Sequence, residues 1–435
     1  MPTTLSSAAT FDFDFAVAGA GPAGSSAAIA LAQRGHRVVL IERERFPRFH
    51  IGESLLSTAN EAFAALGVAE RMAAARFPEK WGARLYTHDG RAGRGVDFAV
   101  ARGVVQAQTL QVPRAEFDRI LLERARELGV EVREATRVAG CDFETDGVRL
   151  ACEGGGAGPA NLRVRALVDA TGRAGLLARR FALRTDEPAL ANVAIFAHFS
   201  GVPRLPGDRP DDIRLIARDD AGWFWLIPIG PDLMSVGVVL PKALYMQRPH
   251  GDPEAMLAAA IADTRVVREL MADARREWPV RVEKEFSYFT SRYAGDRWIL
   301  AGDAGSFLDP VFSTGVSIAM ETGIEAAVEL DRAAAAGDFS AGRFAAFEQR
   351  CRARYASFRR FVVGFYSPEF RDLFFQADPP KRIFSAVVTV LAGRWRPSPW
   401  NRLLVRIFFL FVAIQRRWPV SPRVHRRDAE AGFLS

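Results

Sequence analysis

Apolar positions near the N-terminus fall into two short unbroken runs with small residues between them. Phe13–Ala18 reads as a buried strand, Pro22–Arg34 as a helix of small residues, and Val38–Glu42 as a second strand, which together make a βαβ opening. Pro113–Leu128 carries apolar residues at helical spacing (Phe117, Ile120, Leu121, Ala125, Leu128) and stops at Gly129. Val130–Val138 and Val148–Cys152 read as strands about a turn at Asp146-Gly147, with a loop tip over Gly154–Gly158. Leu167–Gly172 predicts a strand running into a turn. From about Asn192 to Pro241 apolar and polar residues alternate, the pattern of an antiparallel sheet. Trp298–Ala301 predicts a strand, followed by a glycine-rich loop and a helix from about Gly315 to Ala335. Beyond roughly Phe344 the pattern is mostly helical. The expected class is α/β, with a core over 11–345, an antiparallel sheet inserted at about 185–295, and a helical region over 346–435 ending in a basic tail.

Charge changes this picture only at the C-terminus. The 435 residues carry a net charge of +7, but 11 basic residues and no acidic one lie between Lys381 and Arg427. Without that stretch 47 basic residues face 51 acidic ones, so the body is slightly acidic and no nucleic-acid partner is expected. Cys141, Cys152 and Cys351 have no metal-ligand spacing. Met1–Thr10 has neither a basic cluster nor an apolar run, which argues against a secretory signal and for free thiols in a cytoplasmic protein.

Gly19-Ala20-Gly21-Pro22-Ala23-Gly24 lies between the first strand and the helix. The first glycine permits a tight turn, the second lets backbone approach a pyrophosphate, and the third lets helix pack on strand. The helix N-terminus then faces the phosphates. Glu42, about 20 residues on, stands where a carboxylate binds ribose hydroxyls. Asp169-Ala170-Thr171-Gly172-Arg173 and Gly302-Asp303-Ala304 each follow an apolar strand. On residues alone Asp303 is equally an ordinary helix cap.

In this order, over some 300 residues, the three segments resemble the flavoprotein monooxygenase superfamily. The resemblance implies a Rossmann-type FAD-binding domain with an inserted substrate sheet. It places Gly19, Gly21, Pro22, Ala23 and Gly24 at the pyrophosphate, and Glu42 with Arg43 at the adenosine ribose. Asp303 falls at the ribityl chain and Arg114 near the flavin, with Ser54, Asp169, Gly172, Pro310 and Gly315 also along the cofactor. Three further segments are Pro47-Arg48-Phe49-His50-Ile51-Gly52-Glu53-Ser54-Leu55, Trp223-Phe224-Trp225-Leu226-Ile227-Pro228, and Phe307-Leu308-Asp309-Pro310-Val311-Phe312-Ser313-Thr314-Gly315. Together they resemble the flavin-dependent halogenases, the second matching that family's WxWxIP segment and the third its FxDPxFSxG segment.

Trp223 and Trp225 are two apart and share one face of a strand. As plain chemistry they are core; by resemblance they bar substrate from the flavin, with Phe312 beside them. Lys80 is one of four lysines among 58 basic residues. An amine, unlike a guanidinium, loses its proton when desolvated and carries or hydrogen-bonds a reactive species. Phe77-Pro78-Glu79-Lys80-Trp81-Gly82 resembles the halogenase FxxKxGA motif, whose lysine holds the electrophilic halogen; a surface lysine is the plain alternative. Halide, by the same resemblance, sits at Ser313, Thr314 and Gly315, where backbone N–H groups open a helix. Glu53 is a candidate to position or deprotonate substrate, or is structural. Tryptophan halogenases carry a glutamate where this chain has Phe312, so the implied substrate is a ring activated by its own substituents, a phenol or pyrrole, free or carrier-bound.

The implied reaction uses reduced FAD from a separate reductase, dioxygen and halide, with hypohalous acid passing the tryptophans to Lys80. A monooxygenase, a geranylgeranyl-reductase-like enzyme and a catalytically silent FAD-binding partner protein are the rival readings; none of them needs Lys80. In the tail, Ile383–Leu391 and Leu403–Ile414 are each too short to span a bilayer. They suit three roles: covering the protein's own substrate cavity, lying peripherally on the inner membrane surface, or docking a carrier protein. Phe365, Tyr366 and Phe370 are candidate cavity residues by aromatic density.

Overall fold

The structure is a computed structural model and describes residues 10–90, 92–155, 160–218, 222–247, 252–284, 287–376 and 378–423. The loop tip expected at Gly154–Gly158 lies outside the described residues from 156 on, as do Arg426 and Arg427 of the basic tail.

One layer is a sheet with Phe13–Ala18 near its middle. Val38–Ile41 pairs parallel on one side of that strand and Asn161–Asp169 parallel on the other; Glu131–Arg133 and Trp298–Leu300 extend the sheet outward. The chain therefore leaves Ala18 at a point where the strand order continues to opposite sides, Val38–Ile41 on one and Asn161–Asp169 on the other, which opens a crevice at the strand's carboxyl end. The strand is buried because Phe15, Val17 and Ala18 are covered on both faces. The helix Pro22–Ala32 follows, buried almost all round, and packs against the long helix Gly315–Ala336. Gly323 makes that contact possible: a Cβ there would lie 2.2 Å from the Ala23 carbonyl oxygen. The strand expected over Val130–Val138 is instead two, Glu131–Arg133 and Thr136–Phe143, broken at Ala135 with φ 52°.

The second layer is a largely antiparallel sheet in the order Arg275–Arg276, Asn192–Ser200, Leu233–Pro241, Trp223–Gly230, Ile213–Ala217, Gly82–Thr87, Gly93–Asp97. Its last two strands come from well before residue 185. Alternation sorts its faces. Phe224, Leu226, Val236 and Val238 pack on one side with Met256 and Leu257 of the helix Pro253–Asp263. Trp223, Trp225, Phe196 and Leu215 face the other side, into one core with Phe312 and the C-terminal helices.

Those helices are Ala345–Phe365, Pro368–Phe374, Lys381–Leu391 and Pro399–Gln415. Val387, Val388, Leu391, Leu404 and Phe408 turn inward onto the tryptophan face, so the tail covers the protein's own interior. No described helix is long and apolar enough to cross a membrane. The helical layer is pinned by Arg354, 1% exposed, which bonds Glu325, reaches Glu321 at 3.3 Å and lies 4.8 Å over the Trp395 ring. Arg354→Met leaves two acidic groups without their buried cation, and urea unfolding at neutral pH is expected to show a loss of about 3–5 kcal/mol. A loss below ~1 kcal/mol would mean the cluster behaves as a surface ion pair.

Candidate active site

The crevice beyond Ala18 opens into a cavity of about 700 Å³, within the range that holds a bound cofactor. Gly19 turns with φ +97°, and a Cβ on it would lie 2.3 Å from the Ala170 carbonyl oxygen. Gly24 does not face the cavity; a Cβ there would lie 1.7 Å from the Gly19 carbonyl oxygen, so it is the glycine that lets helix rest on turn. Gly21 differs: its missing Cβ would meet only Arg48 Nη2, at 3.5 Å, and the residue lines the cavity. Backbone is thus bared to the cavity where a pyrophosphate would approach.

Glu42 closes the strand Val38–Ile41 with its carboxylate oriented by the amides of Ala20, at 2.8 Å, and Glu44, at 2.9 Å. Pro22, Ala23, Arg43, Gly172, Pro310 and Asp303 also line the cavity. Burial pushes the Asp303 carboxyl up to about 7, against the pull of Arg114 and Arg173. Arg114 donates to both oxygens of Asp118, at 2.8 and 3.0 Å, and to the carbonyl of Ile51 at 2.7 Å, so it holds the segment that carries Glu53. Asp169 is placed otherwise than expected. It is fully buried behind the turn and accepts from Thr171 N and Oγ1 and from Leu177 N, so it shapes the turn and does not line the cavity.

Lys80 is not on the surface. It is 1% exposed, pairs in the short strand Glu79–Lys80, and donates to Ser54 Oγ and the Leu55 carbonyl, each at 2.8 Å. Its Nζ lies 5.3 Å from the Phe98 ring centre. Burial lowers the amine to about 7, with Asp212 pulling the other way. No local motif marks Asp212; it is 1% exposed and accepts from the Trp81 and Gly82 amides, each at 2.7 Å, which fixes the chain just after Lys80.

A second, small cavity of about 30 Å³ lies against Lys80, walled by Phe98, Phe312, Phe374 and Leu391. Ser313 and Ile213 line both cavities. Ser313 holds a left-handed φ of 57° just before the helix Gly315–Ala336, whose preceding residue Thr314 makes no side-chain cap bond. The first amides of that helix have no intrahelical acceptor, and Ser313, Gly315 and Val316 line the large cavity. Thr314 is buried and lines neither cavity.

Trp223 and Trp225, ring centres 5.8 Å apart, wall the large cavity from the sheet side. Trp225 seats in the gap left by Gly237 and donates to Ser235 Oγ at 3.1 Å. Trp223 donates to the Tyr366 hydroxyl at 2.8 Å, which donates to Asp309 at 2.7 Å; Asn192 donates to the same Asp309 oxygen at 2.9 Å. Burial pushes Asp309 up to about 6, against these hydrogen bonds. Of the three candidate cavity aromatics, Tyr366 holds Trp223, Phe365 packs on Phe312, and Phe370 lies in the helical core. Tyr366→Phe strips Trp223 of its acceptor and Asp309 of a donor, and thermal unfolding should register a loss of about 1–3 kcal/mol. An unchanged melting temperature would mean that the indole and the carboxylate find other partners.

A family model described as an FAD binding domain matches residues 12–361. The chain is 31% identical over 394 residues to the 1H-pyrrole-2-carbonyl-[peptidyl-carrier protein] chlorinase of Pseudomonas fluorescens, covering 86% of this chain and 87% of that protein. It is 33% identical over 329 residues to the corresponding brominase of Pseudoalteromonas luteoviolacea, covering 73% and 77%. The chain belongs to the flavin-dependent halogenases. The solved structure of the flavin-dependent brominase Bmp2 superposes with a TM-score of 0.77 at 30% identity, over 93% of this chain and 100% of that one. This halogenase is an FAD-dependent enzyme, and the cavity's bared glycine backbone, oriented Glu42 and Asp303 fit that cofactor.

Proposed function

We propose that the protein halogenates an electron-rich aromatic ring, a phenol or pyrrole, free or carrier-bound, with reduced FAD, dioxygen and halide. The observation that carries the reading is that Ser313 and Ile213 wall both the large cavity and the cavity of Lys80. We read the parallel layer as an FAD-binding domain within 11–345, the antiparallel sheet as its substrate domain, and 346–435 as a covering helical region. FAD, when bound, supplies the reducing equivalents, delivered to it by a separate reductase.

The residues divide the remaining work. Gly21 and the helix Pro22–Ala32 face the phosphates, with Glu42 and Arg43 at the ribose and Asp303, Arg114 and Ser54 farther along. Halide is held beside Ser313 and Gly315, without Thr314, where a helix start offers N–H groups without a formal charge. Trp223, Trp225 and Phe312 keep the ring away from the large cavity, so oxygen is not transferred to it directly. Hypohalous acid passes Ser313 to Lys80. A neutral amine has two hydrogens; here Ser54 and Leu55 take both, which leaves its lone pair for the halogen. Bromination is therefore expected to rise with pH to a plateau above about 7. A rate falling through that pH would mean that the ammonium, as a hydrogen-bond donor, is the working form. The carrier-bound pyrroles of the two relatives support a pyrrole ring on a carrier protein as first choice. The test is to supply FAD, a flavin reductase, NADH and bromide with phenols and pyrroles, free and carrier-bound. Brominated product is expected; hydroxylated or reduced product without halogen would contradict the reading.

A further inference from the structure

A buried carboxylate–imidazole pair stands beside the large cavity. Glu53, 2% exposed, lies in the wall of the large cavity, and its Oε1 is 2.8 Å from His198 Nε2. Its Oε2 is buried without a protein partner, and so is His198 Nδ1. His198 stands in the apolar strand Asn192–Ser200, its ring centre 5.3 Å from that of Trp278, a residue that is 43% exposed. The pair thus spans from the cavity wall to a ring that meets solvent.

The reaction needs such a group. Dioxygen takes two electrons from reduced FAD and two from halide; its O–O bond breaks, one oxygen leaving in hypohalous acid and the other as water. The two hydrogens of reduced FAD supply two of the three protons in these products, and one more must be taken up. We propose that Glu53 delivers this proton from Oε2 to the oxygen that leaves as water and regains it from His198 through Oε1, His198 being recharged from the Trp278 side. The proposal rests on the halogenase reading.

The surroundings suit the pair and not its neighbours. Arg114 holds the segment before Glu53 and lies 3.3 Å from His50 Nδ1, where burial and the Arg114 charge disfavour a proton on that imidazole. Lys80 is turned to Ser54 and Leu55. On the His198 side, Arg281 lies over Phe49, which covers the imidazole; the Glu277 backbone N–H donates to the His198 carbonyl, while the Glu277 carboxylate accepts from Ser200 Oγ. Arg276 pairs with Phe199, the next residue along the strand.

The test compares wild type with Glu53→Gln, His198→Ala and His198→Gln. In the FAD-free protein, ¹⁵N NMR of the six histidines should show the His198 resonance changing its titration in Glu53→Gln. With FAD, oxygen and bromide, a chemical trap for hypobromous acid should show at least a tenfold fall in yield for Glu53→Gln and His198→Ala, with more hydrogen peroxide. FAD affinity should stay unchanged, and added imidazole should restore His198→Ala. Wild-type yield and pH profile in the variants, or lost FAD affinity with no imidazole rescue, would overturn the relay. If wild type makes no hypobromous acid, the halogenase reading fails, and a His198 titration insensitive to Glu53→Gln would then overturn the relay separately.

Discussion

Lys80→Met is expected to give a protein that is more stable than wild type, binds FAD as before and no longer halogenates. The stability part follows from burial. The amine's proton affinity falls from the usual 10.5 to about 7 in the folded protein, so the unfolded chain holds that proton more tightly. The resulting destabilisation is fully present below about 7, shrinks as pH rises, and is gone above 10.5. At ~1.4 kcal/mol per tenfold change in proton affinity it is on the order of 4 kcal/mol at pH 7. Methionine keeps the volume but leaves Ser54 and Leu55 without their donor, which returns about 1–3 kcal/mol of the gain. Urea unfolding should therefore show a net gain at pH 6 that vanishes about one to two pH units below 10.5 and turns into a net loss above that. The activity part follows from chemistry: a thioether has no N–H to donate and no amine to carry halogen, so turnover should fall by on the order of 10³-fold or more. A variant that halogenates within tenfold of wild type would make Lys80 a structural residue.

The other large effect is expected at the glycine turn, where Gly21 and Gly24 should fail differently when substituted. Gly24→Ala places a methyl 1.7 Å from the Gly19 carbonyl oxygen and 3.2 Å from the Ala170 Cβ. Backbone, not a side-chain tip, must move, so the helix lifts from the turn at a cost of about 1–3 kcal/mol or more. FAD affinity should fall at least a hundredfold, because the amides that face the pyrophosphate move with the helix. Gly21→Ala meets only Arg48 Nη2, at 3.5 Å, and should fold with unchanged stability. It nonetheless bars backbone from the pyrophosphate, so affinity falls without a loss of melting temperature in the FAD-free protein. Equal melting temperatures and equal FAD affinities in both variants would contradict this division of roles.

These contrasts show where local pattern suffices and where it does not. The strand Phe13–Ala18, the glycine turn and the helix after it are legible because period, turn chemistry and helix start are all local. Trp223 and Trp225 share a face for the same reason. Lys80 was legible as an unusual residue type in an arginine-rich protein, but its partners Ser54 and Leu55 lie some 25 residues upstream and Asp212 about 130 downstream. No spacing rule joins them; only tertiary folding does. Gly82–Thr87 and Gly93–Asp97 were missed because glycine and arginine interrupt their alternation, and pairing beside Ile213–Ala217 makes them strands. Asp169 was placed at the cofactor by its position after a strand, whereas its oxygens satisfy the turn instead. His198 left one signal, a titratable residue within the apolar run Val193–Phe199.

Mass spectrometry of the product formed with FAD, a reductase, oxygen and bromide, from wild type and Lys80→Met in parallel, tests the central claim most directly. Bromine's paired isotopic peaks are expected in the wild-type product and none from the variant, at equal FAD affinity. A product bearing oxygen and no halogen, formed equally by both proteins, would contradict it.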